Sequence, residues 1–257
     1  MLKQHPSVGF AFQKEVHYFD RICKDSINRQ RFSRNVRKQL LRGGKMLLPA
    51  TRRYVNYVTD PQHSFTDQWY QKIFTDKPEN RRRVARGERI VYADASPSYM
   101  SMPEHGVQHM AELLPDAKPV LVVRDPVRRM VSGLSMVQAR NPQERNRSVE
   151  RQIRFLKKNQ VPRGDYARAI PLFRKHFGDI HLIPFGQIRT RPRQVMRGIE
   201  KLSGLSPISY TDLQTKKHSH TGKVELSSAV KSAIESLCAP QYDYLRREFG
   251  ADFLEEI

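Results

Sequence analysis

The segment VLVVRDPVRRMVSG (residues 120–133) constrains the fold more than any other part of the chain. Its first four residues are apolar, and prolines stand on either side at 119 and 126. Such a run is typical of a strand that is buried on both faces, as in parallel sheets. Pro126 then precedes a helical pattern over 127–140, and proline favours the first position of a helix. The segment therefore predicts a strand–turn–helix unit.

Other segments repeat this order of strands and helices. DIHLIPF (179–185) predicts a second buried strand, and RIVYADASPSYM (89–100) begins as a short strand. Helices are predicted over 107–115, 166–178, 192–205 and 227–249. The region 21–89 is predicted to form short helices, including 67–74, and loops on the surface. This alternation predicts an α/β fold with a central parallel sheet flanked by helices.

The charge of the chain indicates a polyanionic partner. Its 257 residues carry 46 Lys and Arg against 26 Asp and Glu, a net charge of +20. Nucleic acid, phosphate-bearing cofactors, acidic glycans and anionic membranes all fit such a balance. The two cysteines are not in a CxxC motif, and no His/Cys cluster has the spacing of a zinc site, so we expect no disulfide framework and no metal. We expect no membrane span and a cytoplasmic location, because neither a signal peptide nor a long apolar run is present.

Arg124 stands at the carboxyl end of the first predicted strand, where open α/β sheets bind their ligands. Arg129 and Ser132 follow on the first turns of the next helix and can face the same site. Two guanidinium groups, a hydroxyl group and a helix N-terminus suit a phosphate group. The alternative is a turn with an ordinary surface pair between Arg124 and Asp125.

A second candidate site lies in QKEVHYFD (13–20). Lys14, Glu15 and His17 can move or steer protons, and they stand among apolar residues. Two interpretations remain open from the residues alone. The segment is either a half-buried strand with a charged wet face or part of an active site.

These segments together resemble a known family. RDPVRRMVS resembles the RDPxxRxxS segment with which sulfotransferases hold the 3′-phosphate of their donor, 3′-phosphoadenosine 5′-phosphosulfate (PAPS). HPSV (5–8), KEVHYFD (14–20) and DASPSYM (94–100) resemble the heparan sulfate and glycan branch of that family. The stretch 164–205 resembles the family's later helix, strand and C-terminal helix. SHTGK (219–223) stands where the family has a cofactor loop, so the resemblance covers nearly the whole chain in order.

The resemblance implies a single α/β domain over 1–257, related to the P-loop nucleotide kinases. It implies sulfuryl transfer from PAPS to a hydroxyl or amine of a carbohydrate or other small acceptor, acidic or neutral, with adenosine 3′,5′-bisphosphate as product. By position, Glu15 would be the catalytic base, with His17 as its rival. Arg124 and Ser132 would hold the 3′-phosphate, and Gly222 and Lys223 would lie near it.

The sequence departs from the family in two places. It begins within the helix that follows the family's first strand and Gly-rich phosphosulfate loop, so we expect an N-terminally incomplete or catalytically impaired domain. Ala95 stands where the branch often has a lysine, and Lys14 is the nearest cation to replace it. A Golgi enzyme without its anchor is the alternative to a bacterial cytoplasmic one. The alternative functions are a nucleotide binder without turnover and a basic protein that binds nucleic acid without a recognised motif.

Overall fold

The structure is a computed structural model that describes residues 1–13, 15–24, 26–41, 48–141, 143, 147–213 and 226–257. The chain divides into two compact units. The N-terminal unit comprises Met1–Leu114 with Ser203–Tyr210, and the C-terminal unit comprises Pro115–Leu202 with Thr211–Ile257. The predicted α/β fold with parallel strands is confirmed. Among the described residues, however, the strands form one parallel pair in each unit rather than one larger sheet.

In its described residues, the N-terminal unit combines one pair of strands with six α-helices and two short 3₁₀ helices. Short 3₁₀ helices span Leu2–Gln4 and Pro97–Ser101. The strands are β1 (Val8–Phe10) and β2 (Val91–Ala93). The α-helices are α1 (Phe19–Ile22), α2 (Arg29–Leu41), α3 (Pro49–Val58), α4 (Asp67–Thr75), α5 (Pro78–Ala85) and α6 (Glu104–Leu113).

Close packing around Gly9 fixes the β1–β2 pair. The strands run parallel, with Gly9 opposite Tyr92. A Cβ atom at position 9 would lie 2.8 Å from the Cγ2 of Ile90 and 2.9 Å from the Cδ1 of Tyr92, so only glycine fits. Asn80 of α5 joins this strand to the helices, because its side-chain amide donates to the carbonyl groups of Phe10 and Phe74.

The helices between residues 21 and 89 carry much of the core of the N-terminal unit. The prediction of short helices in this region is confirmed, but their placement on the surface is wrong. Trp69 is completely buried, and its indole N–H donates to the carbonyl of Val58 at 3.2 Å. Phe32 packs edge-on against its ring and Phe65 packs tilted against it, at ring-centroid distances of 5.8 and 5.2 Å. Aromatic residues from separate parts of this region of the sequence thus pack in one cluster.

The C-terminal unit has the second strand pair and the remaining helices. β3 (Val120–Val123) and β4 (His181–Pro184) run parallel, with Val120 opposite His181. The helices are α7 (Pro126–Arg140), α8 (Val149–Phe155), α9 (Tyr166–Phe177), α10 (Phe185–Thr190), α11 (Pro192–Leu202), α12 (Ser228–Phe249) and α13 (Ala251–Glu256). A π-helical turn spans Leu156–Gln160, and a 3₁₀ turn spans Pro162–Gly164.

The burial of β3 differs from the prediction. Val123 is fully buried, but Val120 and Val122 are 42% and 40% exposed, so burial on both faces is wrong. Side chains alternate between the faces of a strand, and only the face of Val123 is well covered. An uninterrupted apolar run predicts a strand, but it does not distinguish one covered face from two.

The helices of the C-terminal unit begin and end at the signals in the sequence. Asp165 caps α9 by accepting the N–H of Arg168, and Gly178, with a positive φ of 76°, ends that helix. α7, α12 and the π-helical turn enclose an apolar core that includes Met130, Leu156 and Ile234. None of the helices in the described parts of the chain is long and apolar enough to cross a membrane.

Candidate functional site

The segment from Glu15 to Tyr18 is irregular, so the interpretation as a half-buried strand is wrong. α1 begins directly after it, at Phe19. His17 adopts a left-handed backbone conformation with φ of 57°, which is uncommon for a residue other than glycine. Such a conformation persists only when the surrounding contacts hold it.

His17 lies between two carboxylates. Its Nε2 atom is 3.3 Å from Oε2 of Glu15, and its Nδ1 atom is 3.2 Å from Oδ1 of Asp20. Nδ1 is also 2.7 Å from the hydroxyl oxygen of Ser98. The side chain of Glu15 is 41% exposed and that of Asp20 only 11%. An acceptor that enters from solvent therefore meets Glu15 before Asp20.

The charges around His17 indicate which residue accepts a proton and which one orients it. The hydrogen bond with Asp20 raises the pKa of His17 above its ordinary value of 6.5, although burial opposes this. Burial would raise the pKa of Asp20, but the hydrogen bond and charge of His17 lower it overall. A raised pKa favours the imidazolium form, which donates from both nitrogens and cannot accept another proton. The geometry thus favours Glu15 as the proton acceptor.

The His17–Asp20 pair predicts a pH dependence of stability. The contribution of His17 to the free energy of unfolding is complete below the pKa of about 6.5 that it has in the unfolded chain. It is lost as pH rises through the raised pKa of His17 in the folded protein. The contribution of Asp20 is present above about 3.8 and is lost as pH falls through its lowered folded pKa. His17→Asn is the suitable variant, because asparagine tolerates the left-handed backbone conformation. The melting temperature of wild type should exceed that of His17→Asn by most between about pH 4 and 6.5. A gain that stays constant well above that window would contradict the pairing.

Asp94 anchors the backbone around His17. Its carboxylate accepts from the N–H of Val16 at 3.3 Å, from the hydroxyl of Ser96 at 2.8 Å and from that of Tyr99 at 2.6 Å. The hydroxyl oxygen of Ser96 accepts the N–H of His17 at 3.0 Å. Burial raises the pKa of Asp94, although these donors oppose it. Asp94 is therefore a positioning residue for the left-handed turn.

Replacing Asp94 with alanine should lower the melting temperature. The N–H of Val16 and the hydroxyl of Tyr99 would lose a buried acceptor, and each such loss costs about 1–3 kcal/mol. In a chain of this size, 1 kcal/mol corresponds to roughly 2–4 °C, measurable by scanning fluorimetry. Asp116→Ala is the matched control, since Asp116 is exposed in the other unit. Equal shifts for both variants would show that Asp94 is no anchor.

Arg124 follows β3, and Tyr166 fixes its backbone. The Tyr166 hydroxyl accepts the N–H of Arg124 and donates to its carbonyl, both at 3.0 Å. The guanidinium lies over the ring of Phe185, 4.9 Å from its centroid. No described residue forms a hydrogen bond or ion pair with this guanidinium. The flat face of the Arg124 guanidinium thus packs on an aromatic ring, while its N–H groups suit an anion.

Arg129 lies deeper in the C-terminal unit. Its Nη2 donates to the carbonyl of Gln160, and its buried Nε has no hydrogen-bond partner among the described groups. Burial lowers the pKa of Arg129. Gly164 permits this packing, because a Cβ atom there would lie 2.7 Å from Nε. A buried, unpartnered guanidinium N–H fits an anionic ligand, as the sequence predicts for this position.

The N-terminus of α7 already holds a carboxylate. Asp125 accepts the N–H of Arg128 and the hydroxyl of Tyr242, each at 2.7 Å. The sequence predicts part of a phosphate site at this helix end, but the cap occupies it. An anion site at this position would therefore depend on the side chains of Arg124 and Arg129 rather than on the first N–H groups of α7.

The predicted site residues fall into three groups. Glu15 and His17 come together in the N-terminal unit. Arg124, Arg129 and Ser132 belong to the C-terminal unit, where Ser132 is half-buried one helical turn after Arg129. Lys14, Gly222 and Lys223 lie outside the described residues. No group of His, Cys, Asp and Glu within the described ranges could hold a metal ion.

Sequence reasoning missed four residues of these sites. Asp20 stands three residues after His17 within the quoted segment, so its spacing was an available signal. Asp94 and Ser98 belong to DASPSYM, but only the fold brings that segment to His17. The contact of Tyr166 with the Arg124 backbone had no signal in the sequence.

Comparison with known proteins identifies the class of this fold. The crystal structure of a sulfotransferase from Alicyclobacillus acidocaldarius superimposes with a TM-score of 0.61 at 20% sequence identity. The match covers 96% of this chain and 87% of that one. It shows that the two proteins share a fold. A search of curated proteins gives no significant match.

The sequence itself establishes the family. The model of the sulfotransferase family matches residues 1–209, which include both candidate sites described above. The chain belongs to the sulfotransferase family.

Proposed function

We propose that the chain transfers a sulfuryl group from PAPS to a hydroxyl or amine of a carbohydrate-type acceptor. The observation that carries this proposal is the Glu15–His17–Asp20 arrangement, with an exposed carboxylate 3.3 Å from a histidine whose pKa is raised. It supplies a proton acceptor with a fixed orientation in a chain of the sulfotransferase family. A positioned base is the main chemical group that a sulfuryl acceptor requires.

In this mechanism, Glu15 accepts the proton of the acceptor hydroxyl as the oxygen attacks sulfur. The new oxygen–sulfur bond forms while the bond between sulfur and the donor's phosphate oxygen breaks, and adenosine 3′,5′-bisphosphate leaves. His17 donates to Glu15 and orients it, and Asp20 holds His17. As in phosphoryl transfer, the protein contributes mainly positioning and charge stabilisation.

The 3′-phosphate of the donor is assigned to the C-terminal unit. Two observations within the described residues support this assignment: the guanidinium of Arg124 lies over Phe185 and has no hydrogen-bond or ion-pair partner there, and the buried Nε of Arg129 has no hydrogen-bond partner. Ser132 would add a hydroxyl donor, while Gly222 and Lys223 would approach the same phosphate. Lys14 would offset the negative charge near the acceptor. Arginine suits this role because its planar fork pairs with two oxygens of a phosphate group.

Thermal shift with adenosine 3′,5′-bisphosphate tests the donor class. We expect this ligand to raise the melting temperature. Adenosine 5′-monophosphate, which lacks the 3′-phosphate, should raise it much less. A shift without any turnover of PAPS would indicate a nucleotide binder that is catalytically impaired. No shift, together with DNA binding that weakens steeply with salt, would favour the nucleic-acid alternative suggested by the net charge of +20.

A further inference from the structure

One part of the N-terminal unit concentrates positive charge. Residues 26–59 contain nine lysines and arginines and no aspartate or glutamate. These residues supply nearly half of the net charge of +20. They include all of α2 and α3, which contact each other.

The two helices bury their apolar residues and expose their cations. In α2, Phe32 and Val36 are only 8% and 4% exposed, while the opposite side of the helix is cationic and open to solvent. α3 buries Tyr54, Val55 and Val58 and likewise exposes its arginines. We call the resulting surface the cationic face; it consists of Arg31, Arg34, Lys38, Arg52 and Arg53.

Among the described residues, no acidic side chain neutralises the charge of the cationic face. None of its five side chains forms an ion pair with another described residue. Elsewhere in the same unit, by contrast, Arg83 and Arg86 both pair with Glu88. Unpaired like charges repel one another and disfavour the folded state, so an external anion is the natural partner of this surface.

The helix that carries the cationic face packs against residues on both sides of the segment that carries Glu15. Phe32 of α2 contacts the ring of Phe12 at 6.3 Å between centroids. The guanidinium of Arg21, next to Asp20 in sequence, lies over the ring of Phe32 at 5.4 Å. The cations stand on the far side of α2, and a helix with its side chains is about 10–12 Å across. Only an extended ligand reaches from Glu15 to the cationic face.

We propose that the cationic face binds the anionic chain of a polymeric acceptor, an acidic polysaccharide, away from the sugar that reacts. Sulfate and carboxylate groups along such a chain match arginine side chains, which bind them through two parallel hydrogen bonds. The inference rests on the proposed sulfotransferase function, because it extends the acceptor site of Glu15 along the same unit.

The aromatic residues of this region favour a polysaccharide over single-stranded nucleic acid. Proteins that bind single strands present exposed aromatic rings on which bases stack. Here Phe32, Tyr54 and Trp69 are at most 8% exposed and belong to the core. The face therefore offers charge without a stacking platform.

The test compares two triple variants that remove the same charges. Arg31→Ala/Arg34→Ala/Lys38→Ala removes part of the cationic face. Arg151→Ala/Arg154→Ala/Lys157→Ala removes an exposed trio of the same composition from α8 and the following turn. Affinity for fluorescent dextran sulfate, measured by anisotropy at physiological salt, should fall about tenfold or more for the first variant and less than about twofold for the second. The first variant should also give a shallower dependence of affinity on salt.

Two results would overturn the proposal. Equal loss of affinity in both variants would show that net charge alone attracts the polymer. Tighter binding of DNA than of dextran sulfate through the same face would identify a nucleic-acid surface. Adenosine 3′,5′-bisphosphate separates this inference from the proposed function, since it should raise the melting temperature of the first variant as much as that of wild type. If polymer binding depends on the face but the bisphosphate has no effect on either protein, the sulfotransferase proposal fails and the polysaccharide surface stands.

Discussion

Glu15→Gln is expected to reduce sulfuryl transfer from PAPS by about 10²–10⁴-fold, the usual contribution of a positioned general base. Glutamine keeps the size of the side chain and its contact with Nε2 of His17, but it cannot take up the acceptor's proton. The effect should appear in kcat, because the step that is lost is chemical. Adenosine 3′,5′-bisphosphate should still raise the melting temperature of the variant as it does for wild type.

Glu112→Gln is the control for this experiment. Glu112 is an exposed glutamate on α6 in the same unit, and its side chain accepts a hydrogen bond from Gln108 at 2.8 Å. His17→Asn separates the two candidate bases. We expect a smaller loss of kcat for His17→Asn than for Glu15→Gln, because His17 orients the carboxylate. The reverse order would make His17 the base.

Arg124→Ala is expected to abolish the stabilisation by adenosine 3′,5′-bisphosphate. A ligand at a hundredfold excess over its Kd stabilises the folded state by about 2.7 kcal/mol. In a chain of this size, that corresponds to a rise of roughly 5–10 °C in melting temperature. Alanine removes the guanidinium group that lies over Phe185. It keeps the backbone N–H of residue 124, which donates to the hydroxyl of Tyr166. Titration of the bisphosphate by scanning fluorimetry measures the loss.

Arg128→Ala is the matched control for charge. Arg128 stands on the first turn of α7 and is exposed, and its contact with Asp125 uses the backbone N–H, which alanine keeps. This variant should retain the full response to the bisphosphate. Equal losses of this stabilisation in the two variants would mean that the nucleotide responds only to local positive charge and that Arg124 has no specific role.

Much of the fold follows from local signals in the sequence. Prolines 126 and 192 mark the starts of α7 and α11, and Gly178 ends α9 as its position predicts. Burial was harder to predict, because it depends on neighbours that are distant in sequence. The apolar run of β3 faces solvent at Val120 and Val122, while the polar-looking region 21–89 holds the aromatic core around Trp69.

The candidate site was predictable only in part, for the same reason. The spacing of Glu15, His17 and Asp20 is local, so their proximity could be read from the chain. The anchors Asp94 and Ser98 lie about eighty residues away in sequence, and the tertiary fold, in which β1 pairs with β2, brings them to His17. The cap of Asp125 on α7, which occupies the helix end predicted to bind a phosphate, also could not be predicted from the sequence.

Transfer of radioactive sulfur from ³⁵S-labelled PAPS tests the central claim most directly. The chain is incubated with the labelled donor and a panel of acidic and neutral polysaccharides, and the label in the polymer is counted. We predict incorporation into an acidic polysaccharide by wild type and at least about a hundredfold less by Glu15→Gln. If wild type leaves every acceptor unlabelled while adenosine 3′,5′-bisphosphate still raises its melting temperature, the chain binds the nucleotide without transferring sulfur, and the proposed function is contradicted.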